Sequence, residues 1–254
     1  MLRTDGVLRL LLQTAVCAAK VGLPPGRLLA ALFPPTCLLC GAPGASGRDL
    51  CAGCAAELPY NRHACPRCAL PFDAPRPHGD PCGACQRRAP PSARTLAALR
   101  YEAPLPNLVG AMKFRGRLNY ARLLGQLLAD AVSGRDGPLP QALVPVPLHP
   151  GRLAGRGYNQ SVEIARVVGG VLGLPVDTTC CRRVLATVPQ SGLDERTRRR
   201  NIRGAFAAVT PCPWGRVAIL DDVLTTGSTV NELTRVLRRA GARSVEVWAV
   251  ARTP

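Results

Sequence analysis

The chain has 254 residues and a formal net charge of +17, a length that holds one large domain or two modest ones. The charge is compatible with phosphates or single-stranded nucleic acid as ligands, but arginine supplies all of the 33 basic residues except Lys20 and Lys113. Together with abundant Ala, Gly and Pro, this pattern is typical of a coding bias, so charge alone selects no partner. No segment approaches the ~18 to 20 apolar residues of a membrane-spanning helix, and we expect no membrane span.

Residues 1–32 form an N-terminal extension whose apolar residues are interrupted by Arg9 and Gln13. A secretory signal peptide needs an unbroken apolar core and a cleavage site of small residues, and Arg9 and Gln13 break that core. We therefore expect a cytoplasmic protein. The extension is interpreted either as an amphipathic helix or as the product of a misassigned start codon.

Eight of the twelve cysteines lie in four C-x-x-C pairs within a predicted domain of residues 33–94. The pairs are Cys37 with Cys40, Cys51 with Cys54, Cys65 with Cys68, and Cys82 with Cys85. The two-residue spacing lets both sulfurs of a tight turn reach one ion, and two pairs complete the tetrahedral shell of Zn²⁺. Two closed, structural zinc sites follow. Joining successive pairs is the simplest arrangement, and a cross-braced arrangement stays open. A disulfide framework would need an oxidising compartment, which the lack of an export signal disfavours.

A Pro-rich linker at 87–94 leads into a second predicted domain, residues 95–254, in which apolar strands alternate with helical segments. Strands are predicted at 95–101, 142–146, 217–220 and 244–251, and helices at 118–132, 158–172 and 230–237. This alternation predicts an α/β fold, with a parallel sheet and helices on both of its faces.

Two basic features of this second domain are candidate phosphate contacts. Lys113 stands out because arginine fills nearly every other basic position. A compact ammonium suits a point contact with a phosphate oxygen. The alternative is that this lysine has been retained by chance. The turn from Val146 to Arg156 follows a predicted strand, and its glycines let the backbone approach a ligand closely. Val146 and Pro147 begin this turn, and Arg152 and Arg156 supply forked donors for a pyrophosphate; a solvated basic loop is the alternative.

Residues 217–229 combine an apolar run, two adjacent acids and a loop of small residues that leads into a helix. Backbone N–H groups and the helix dipole make this loop a phosphate cradle. Its residues are Thr225, Thr226, Gly227, Ser228 and Thr229. Asp221 and Asp222, at the carboxyl end of the strand, can accept hydrogen bonds from a sugar diol. A buried strand can end in acids without binding anything, but that explains neither the doubled acid nor three threonines around one glycine. The stretch therefore predicts a site for a phosphorylated ribose.

The same stretch resembles the fingerprint of type I phosphoribosyltransferases, in which two acids hold the ribose hydroxyls of phosphoribosyl pyrophosphate (PRPP) and Thr-Thr-Gly-x-Thr holds its 5-phosphate. From about Phe33 onwards the chain also resembles the ComF family of competence-associated proteins and its GntX-type relatives. This second resemblance rests on the cysteine pairs, on Lys113-Phe114-Arg115-Gly116, on the turn at 144–161 and on the run at 190–206.

The resemblance implies a double zinc-ribbon domain followed by a type I phosphoribosyltransferase domain that binds PRPP together with Mg²⁺. It further implies that the arginine-rich stretch 182–201 is a flap that closes over pyrophosphate, with Arg196 and Arg199 or Arg200 as its ligand contacts. Arg196 then joins the acid pair as the residues expected to serve catalysis.

Two functional classes stay open. In the first, an enzyme transfers the phosphoribosyl group of PRPP to a base or nucleotide-like acceptor, in a role linked to DNA uptake. In the second, PRPP or single-stranded DNA is bound without turnover, and the zinc module contacts DNA or a protein of the uptake machinery. An aromatic content of 4% offers few stacking platforms for single strands, which weakens the DNA-binding class.

Overall fold

The computed structural model describes residues 34–76, 79–186 and 202–254, and the chain divides into two compact units between Glu57 and Leu58. The predicted N-terminal extension and most of the predicted flap lie outside the described residues. The domain limits predicted from the sequence stay predictions.

The first unit holds the first two cysteine pairs. Its chain turns between Thr36 and Pro43, which form an antiparallel bridge, and a short helix, α1 (Ala52–Ala56), follows. Cys51 caps this helix, because its Sγ accepts a hydrogen bond of 3.4 Å from the backbone N–H of Cys54. A turn of this kind brings both sulfurs of one C-x-x-C pair to the same side, as a zinc ribbon requires.

The second unit is built on a parallel sheet. Its strands are β1 (Arg94–Arg100), β2 (Ala142–Pro145), β3 (Cys181–Arg183), β4 (Phe206–Ala208), β5 (Arg216–Leu224) and β6 (Ser244–Arg252). Its helices are α2 (Gly83–Arg87), α3 (Leu105–Arg115), α4 (Leu118–Ser133), α5 (Pro150–Arg156), α6 (Gln160–Leu172) and α7 (Ser228–Arg239). Among the described residues, four strands form the main sheet in the order β1, β6, β5, β2, and every neighbouring pair is parallel. Strands β3 and β4 pair antiparallel in a separate ribbon.

The two central strands are buried on both faces, as parallel strands between layers of helices must be. In β5 the run from Val217 to Leu220 has no exposed surface, and neither has the side chain of Trp248 in β6. Helix α4 adds the fully buried Leu124 and Leu128, and each such side chain contributes about 1.5 to 3 kcal/mol through burial. The predicted fold class, a parallel sheet flanked by helices, is confirmed.

Several details of the elements differ from the prediction, and three of them have a clear local reason. Helix α6 begins at Gln160, because the side chain of Asn159 caps it. Strand β5 continues through the two acids to Leu224, since it pairs with β6 along its whole length. The predicted arginine turn contains a short helix, α5, which begins at Pro150, a residue suited to the first helical position. In the described part of the chain, no helix is long and apolar enough to cross a membrane.

The last two cysteine pairs belong to the same unit as the sheet. Their chain runs beside the edge strand β1, where the backbone N–H of Asn61 donates to the carbonyl of Ala98 over 3.0 Å. The N–H of Arg100 in turn donates to the carbonyl of Pro59 over 2.7 Å. Because an edge strand otherwise presents unpaired backbone groups, these bonds attach the chain of the second ribbon firmly to the sheet.

Candidate functional site

The carboxyl ends of the neighbouring strands β2 and β5 meet at one edge of the sheet. Strand β2 ends at Pro145, which lies opposite Leu220 of β5, and the backbone N–H of Val146 donates to the carbonyl of Leu220 over 2.9 Å. The acids that follow Leu220 and the turn that follows Pro145 therefore begin side by side. Open parallel sheets bind their ligands at this carboxyl edge.

The acid pair lies at this edge and shares one cation. Asp222 is 4% exposed, and its Oδ2 lies 2.5 Å from the Nζ of Lys113 in the last turn of α3. Asp221 accepts hydrogen bonds through Oδ1 from the hydroxyl of Ser161 (3.3 Å) and from the backbone N–H of Asp222 (3.0 Å). Burial, and secondly the charge of Asp222, raise the pKa of Asp221 to about 8. The pair can therefore hold a proton, or attract a second cation, at neutral pH.

The lysine of this ion pair is held in its charged form. Burial lowers the pKa of Lys113, but attraction by Asp222 and, more weakly, by Asp221 outweighs burial, so the net shift is upward. The structure thus places the predicted Lys113 against the acid pair.

The predicted phosphate loop connects β5 to α7. Gly227 has a φ of 71°, a left-handed conformation that favours glycine, and it directly precedes the first residue of the helix. The hydroxyls of Thr226 and Ser228 are 2.7 Å apart, and Ser228 is buried whereas Thr225 and Thr229 are partly exposed. The amino end of a helix carries roughly half a positive elementary charge, so this loop offers a phosphate both N–H donors and a favourable potential.

Hydrogen bonds join the turn after β2 to α3 and α6. The hydroxyl of Tyr158 donates to the carbonyl of Met112, the residue before Lys113. Asn159 caps α6 through a bond of 3.0 Å from the N–H of Ser161, and its Nδ2 donates to the carbonyl of Val146 over 3.0 Å. The sequence motifs that contain Lys113, the turn and the acid pair are therefore in contact with one another.

The residues predicted to bind ligand from the turn have different roles in the fold. Val146 is buried and Pro147 is partly buried. Arg156 donates from Nη1 to Oε1 of Gln160 over 2.6 Å, which holds the start of α6. His149 caps α5, its Nδ1 accepting a bond of 3.2 Å from a backbone N–H, so this histidine has a structural partner.

Arg183 is a site residue that the sequence analysis missed. It is 7% exposed, and its guanidinium carbon lies 5.6 Å from the centre of the Phe206 ring. Burial, and secondly the charge of Arg152, lower its pKa, whereas Asp221 opposes the shift. Arg152 and Arg183 are thus close enough to repel each other beside the acid pair. Burial alternates along β3, so strand periodicity would have placed Arg183 on the inner face with Cys181 once the strand was recognised.

The flap residues are the remaining predicted ligand contacts. Arg196, Arg199 and Arg200 lie outside the described residues, in the sequence between β3 and β4. Their roles stay predictions.

The paired cysteines form two groups, and in each group the four Sγ atoms lie within 4.8 Å of one another. The groups are Cys37, Cys40, Cys51 and Cys54, and Cys65, Cys68, Cys82 and Cys85. The first two pairs form one group and the last two pairs form the other, so the cross-braced arrangement is wrong. The Sγ atoms of Cys40 and Cys51 are 3.6 Å apart, and those of Cys68 and Cys82 are 3.7 Å apart. Tetrahedral Zn²⁺ with Zn–S bonds of about 2.3 Å sets neighbouring sulfurs about 3.8 Å apart, so both groups fit zinc.

One thiol of each group is prepared to bind metal as a thiolate. Burial raises the pKa of Cys37, but hydrogen bonds from backbone N–H groups, first that of Cys51, bring it down to about 6. Burial likewise opposes ionisation of Cys65, yet backbone donors that include the N–H of Cys82 (3.3 Å) lower its pKa to about 7. Because the thiolate is the form that binds zinc, these bonds favour metal loading at neutral pH.

Two four-cysteine groups that fit zinc and a parallel sheet flanked by helices define a double zinc-ribbon protein with an α/β domain. Residues 28–86 match the family of the double zinc ribbon domain. The chain is 38% identical over 225 residues to the DNA utilization protein YhgH of Salmonella typhi, an alignment that covers 87% of this chain and 98% of that protein. It is 34% identical over 213 residues to the competence protein F of Haemophilus influenzae, covering 80% and 90% of the two chains. The chain belongs to the ComF family, with these two proteins.

The chain also has partial similarity to solved structures. A glutamine phosphoribosylpyrophosphate amidotransferase from B. subtilis matches 50% of this chain and 25% of its own, with a TM-score of 0.34 and 21% identity. A purine phosphoribosyltransferase from Pyrococcus horikoshii matches 52% of this chain and 71% of its own, with a TM-score of 0.29 and 15% identity.

Proposed function

We propose that this protein binds PRPP with Mg²⁺ at the carboxyl edge of the sheet and transfers the phosphoribosyl group to a base or nucleotide-like acceptor. The observation that carries the proposal is the contact between three separate segments at that edge: the acid pair with its loop, the turn after β2, and Lys113. The loop would hold the 5-phosphate, and the acids would accept hydrogen bonds from the ribose hydroxyls.

The two acids have unequal parts in this proposal. Asp222, whose Oδ2 lies 2.5 Å from the Nζ of Lys113, would accept a hydrogen bond from a ribose hydroxyl. A hydrogen bond to a charged group contributes roughly 1.5 to 3 kcal/mol, more than a neutral one. Asp221, whose pKa is raised to about 8 by burial and by Asp222, gains most when a ligand brings a further positive charge to the pair.

That charge is the role we assign to Mg²⁺. Magnesium is commonly bound through one or two carboxylates together with substrate phosphates, and two adjacent carboxyl groups, one of them raised in pKa, fit this donor set. When bound with PRPP, the ion would neutralise charge on the leaving pyrophosphate.

The proposed reaction breaks the bond between C1 of the ribose and the pyrophosphate oxygen and forms a bond from C1 to an acceptor nitrogen. The carbon passes through a state that resembles an oxocarbenium ion. Arg152, Arg183 and the flap residue Arg196 would stabilise the negative charge that develops on pyrophosphate, and the flap would exclude water. Asp221 is assigned to Mg²⁺, and no general base is needed when a heterocyclic nitrogen attacks through its own lone pair.

The family relatives supply the biological setting of the proposal. Their names describe DNA utilization and competence, so we place this activity in DNA uptake. The same names and the net charge of +17 favour one alternative, a module that binds PRPP or single-stranded DNA without turnover.

Calorimetric titration of the zinc-loaded protein with PRPP in the presence of Mg²⁺ tests the binding step. The double variant Asp221→Asn with Asp222→Asn keeps the side-chain shapes but loses the charge-assisted part of each bond. The difference between a charged and a neutral hydrogen bond is about 1 to 1.5 kcal/mol, so we expect its affinity to fall by about 10-fold for each such bond. Glu163→Gln is the matched control, because this acid pairs in α6 with the exposed Arg166 at 2.6 Å.

The outcomes separate the classes of function. If the folded double variant binds PRPP as tightly as the wild-type protein does, the acids do not bind the ribose. If the wild-type protein does not bind PRPP, the proposal is refuted. If PRPP binds, release of pyrophosphate in a screen of acceptors indicates the enzyme. Binding without release for every acceptor, together with affinity for single-stranded DNA, indicates the binding module.

A further inference from the structure

Arg252, the last residue of β6, lies between the second cysteine group and the phosphate loop. In the register of the sheet it is opposite Leu224 of β5 on one side and Arg100 of β1 on the other. Its Nε donates to the carbonyl of Cys68 over 3.2 Å, and its Nη1 donates to the carbonyl of Leu224 over 3.4 Å. One guanidinium thus contacts a zinc-ligand residue and the residue that immediately precedes the loop.

The carbonyl of Leu224 is held by a second residue as well. The backbone N–H of Thr253 donates to it over 2.9 Å, and the Thr253 hydroxyl lies 3.4 Å away. Arg252 orients this threonine through bonds from Nη1 to its carbonyl (2.7 Å) and to its hydroxyl (3.0 Å). Several donors therefore fix the point at which β5 ends and Thr225 begins the loop.

The charge of Arg252 has an internal partner in the second cysteine group. A zinc ion with four thiolates carries about −2 net charge. The guanidinium lies against this group, since its Nε is 3.2 Å from the carbonyl oxygen of Cys68. Since a partly buried cation is costly without an opposite charge, the guanidinium and the thiolate site stabilise each other.

We propose that Arg252 is a positioning residue that couples the second zinc site to the phosphate loop. An intact group at Cys65, Cys68, Cys82 and Cys85 anchors the guanidinium, and the guanidinium holds the end of β5 from which the loop starts. We assign no such role to the first cysteine group. The identity of the ligand at the loop rests on the proposed function, but the coupling does not.

The test uses full-length, zinc-loaded protein and two measurements made without PRPP. The first is the rate at which a chelator removes zinc, and the second is hydrogen exchange of the peptide that spans residues 223–231. Arg252→Met removes the charge and the donors but keeps an apolar stem. Arg166→Met, in an exposed ion pair on α6, is the control. Partners outside the ligand shell change metal affinity by about 10- to 100-fold, so we expect Arg252→Met to release one of its two zinc ions about that much faster.

The exchange measurement decides the coupling. Arg252→Met should raise exchange in residues 223–231, and Arg166→Met should match the wild-type protein. Arg252→Lys should retain slow zinc release, because the charge remains, but should still raise exchange, because one ammonium cannot replace the forked donors.

Substitutions of the zinc ligands test the same coupling from the side of the metal site. Cys68→Ser should raise exchange in the loop, and Cys40→Ser, which disrupts the first group, should not. If Cys68→Ser fails to fold, Arg252→Met, whose cysteines are intact, still decides. Wild-type exchange in Arg252→Met, or equal exchange in Cys68→Ser and Cys40→Ser, would overturn the proposal. A wild-type protein that binds no PRPP would refute the proposed function and leave these readouts valid.

Discussion

The ion pair between Lys113 and Asp222 gives a sharp test of how the candidate site is held together. Lys113→Met removes the ammonium but keeps an apolar side chain, so the buried Asp222 is left beside Asp221 without its cation. Two unit charges 2.5 Å apart attract by about 7 kcal/mol at an effective dielectric constant of about 20, an upper bound because the Lys113 side chain is 24% exposed. Removing one partner of a buried pair costs about 3 to 5 kcal/mol, and we expect the lower end of this range.

Urea-induced unfolding at neutral pH measures the loss as a lower midpoint at an unchanged slope. The double variant Lys113→Met with Asp222→Asn should recover much of it, because no buried charge is left without a partner. A cycle through the single variant Asp222→Asn isolates the coupling energy of the pair. Arg166→Met is the matched control, since its exposed pair with Glu163 contributes only about 0 to 1 kcal/mol.

The pKa of Asp221 is raised to about 8 by burial and by Asp222, so the deficit of Lys113→Met should shrink as the pH falls through about 8 and the proton taken up by Asp221 lowers the charge of the acid pair. Two results would refute the reasoning. One is a deficit no larger than that of Arg166→Met, and the other is an equal deficit in the single variant and the double variant. Either would mean that Lys113 does not neutralise the acid pair in the folded protein.

The remaining predictions concern the acid pair, the metal and the flap. Burial and Asp222 raise the pKa of Asp221 to about 8, so the proton on this carboxyl stabilises the fold fully below about pH 4 and this stability is lost as the pH rises to about 8. Asp221→Asn should therefore remove a decline of up to about 1.4 kcal/mol per pH unit in the free energy of unfolding over that window, measured by urea titration at several pH values. Metal analysis should find two zinc ions per chain, and one in Cys37→Ser; oxidised cysteine pairs without zinc would contradict this. Replacing Arg196, Arg199 and Arg200 by alanine should abolish pyrophosphate release but weaken PRPP binding only modestly, and a variant that keeps both release and DNA affinity would return these arginines to a solvated surface.

Much of the fold could be predicted because its signals are local. A buried parallel strand is a continuous apolar run such as 217–220, and a zinc ribbon is a pair of cysteines two residues apart. The phosphate loop is likewise contiguous, so residues 225–229 could be placed at a helix start before any tertiary contact was known. The observed start of a helix differs from the predicted one where a capping side chain sets it, as Asn159 does at the start of α6.

The contacts between distant segments could not be predicted in the same way. Lys113 stands out in the sequence because lysine is rare in this chain. Only the fold shows that it neutralises Asp222. Arg183 and Arg252 were not selected, because in an arginine-rich chain neither differs from a solvated arginine until its strand is packed. The choice between successive and cross-braced cysteine pairs also depends on the path of the chain, since both satisfy the same spacing.

The placement of these cations changes how the net charge of +17 is to be understood. At the carboxyl edge Lys113 is paired with Asp222, and Arg252 is held by the second cysteine group and by the end of β5. Both cations therefore stabilise the protein itself before any ligand arrives. In the proposed function, the 5-phosphate would instead be held by the backbone N–H groups of the loop and the dipole of α7, which have fixed direction and spacing. Fixed donors recognise the geometry of a phosphate, whereas mobile cations attract any polyanion. These two pairings accordingly support the proposal that this edge binds a phosphorylated sugar, and the titrations with PRPP and with single-stranded DNA decide between the two ligands.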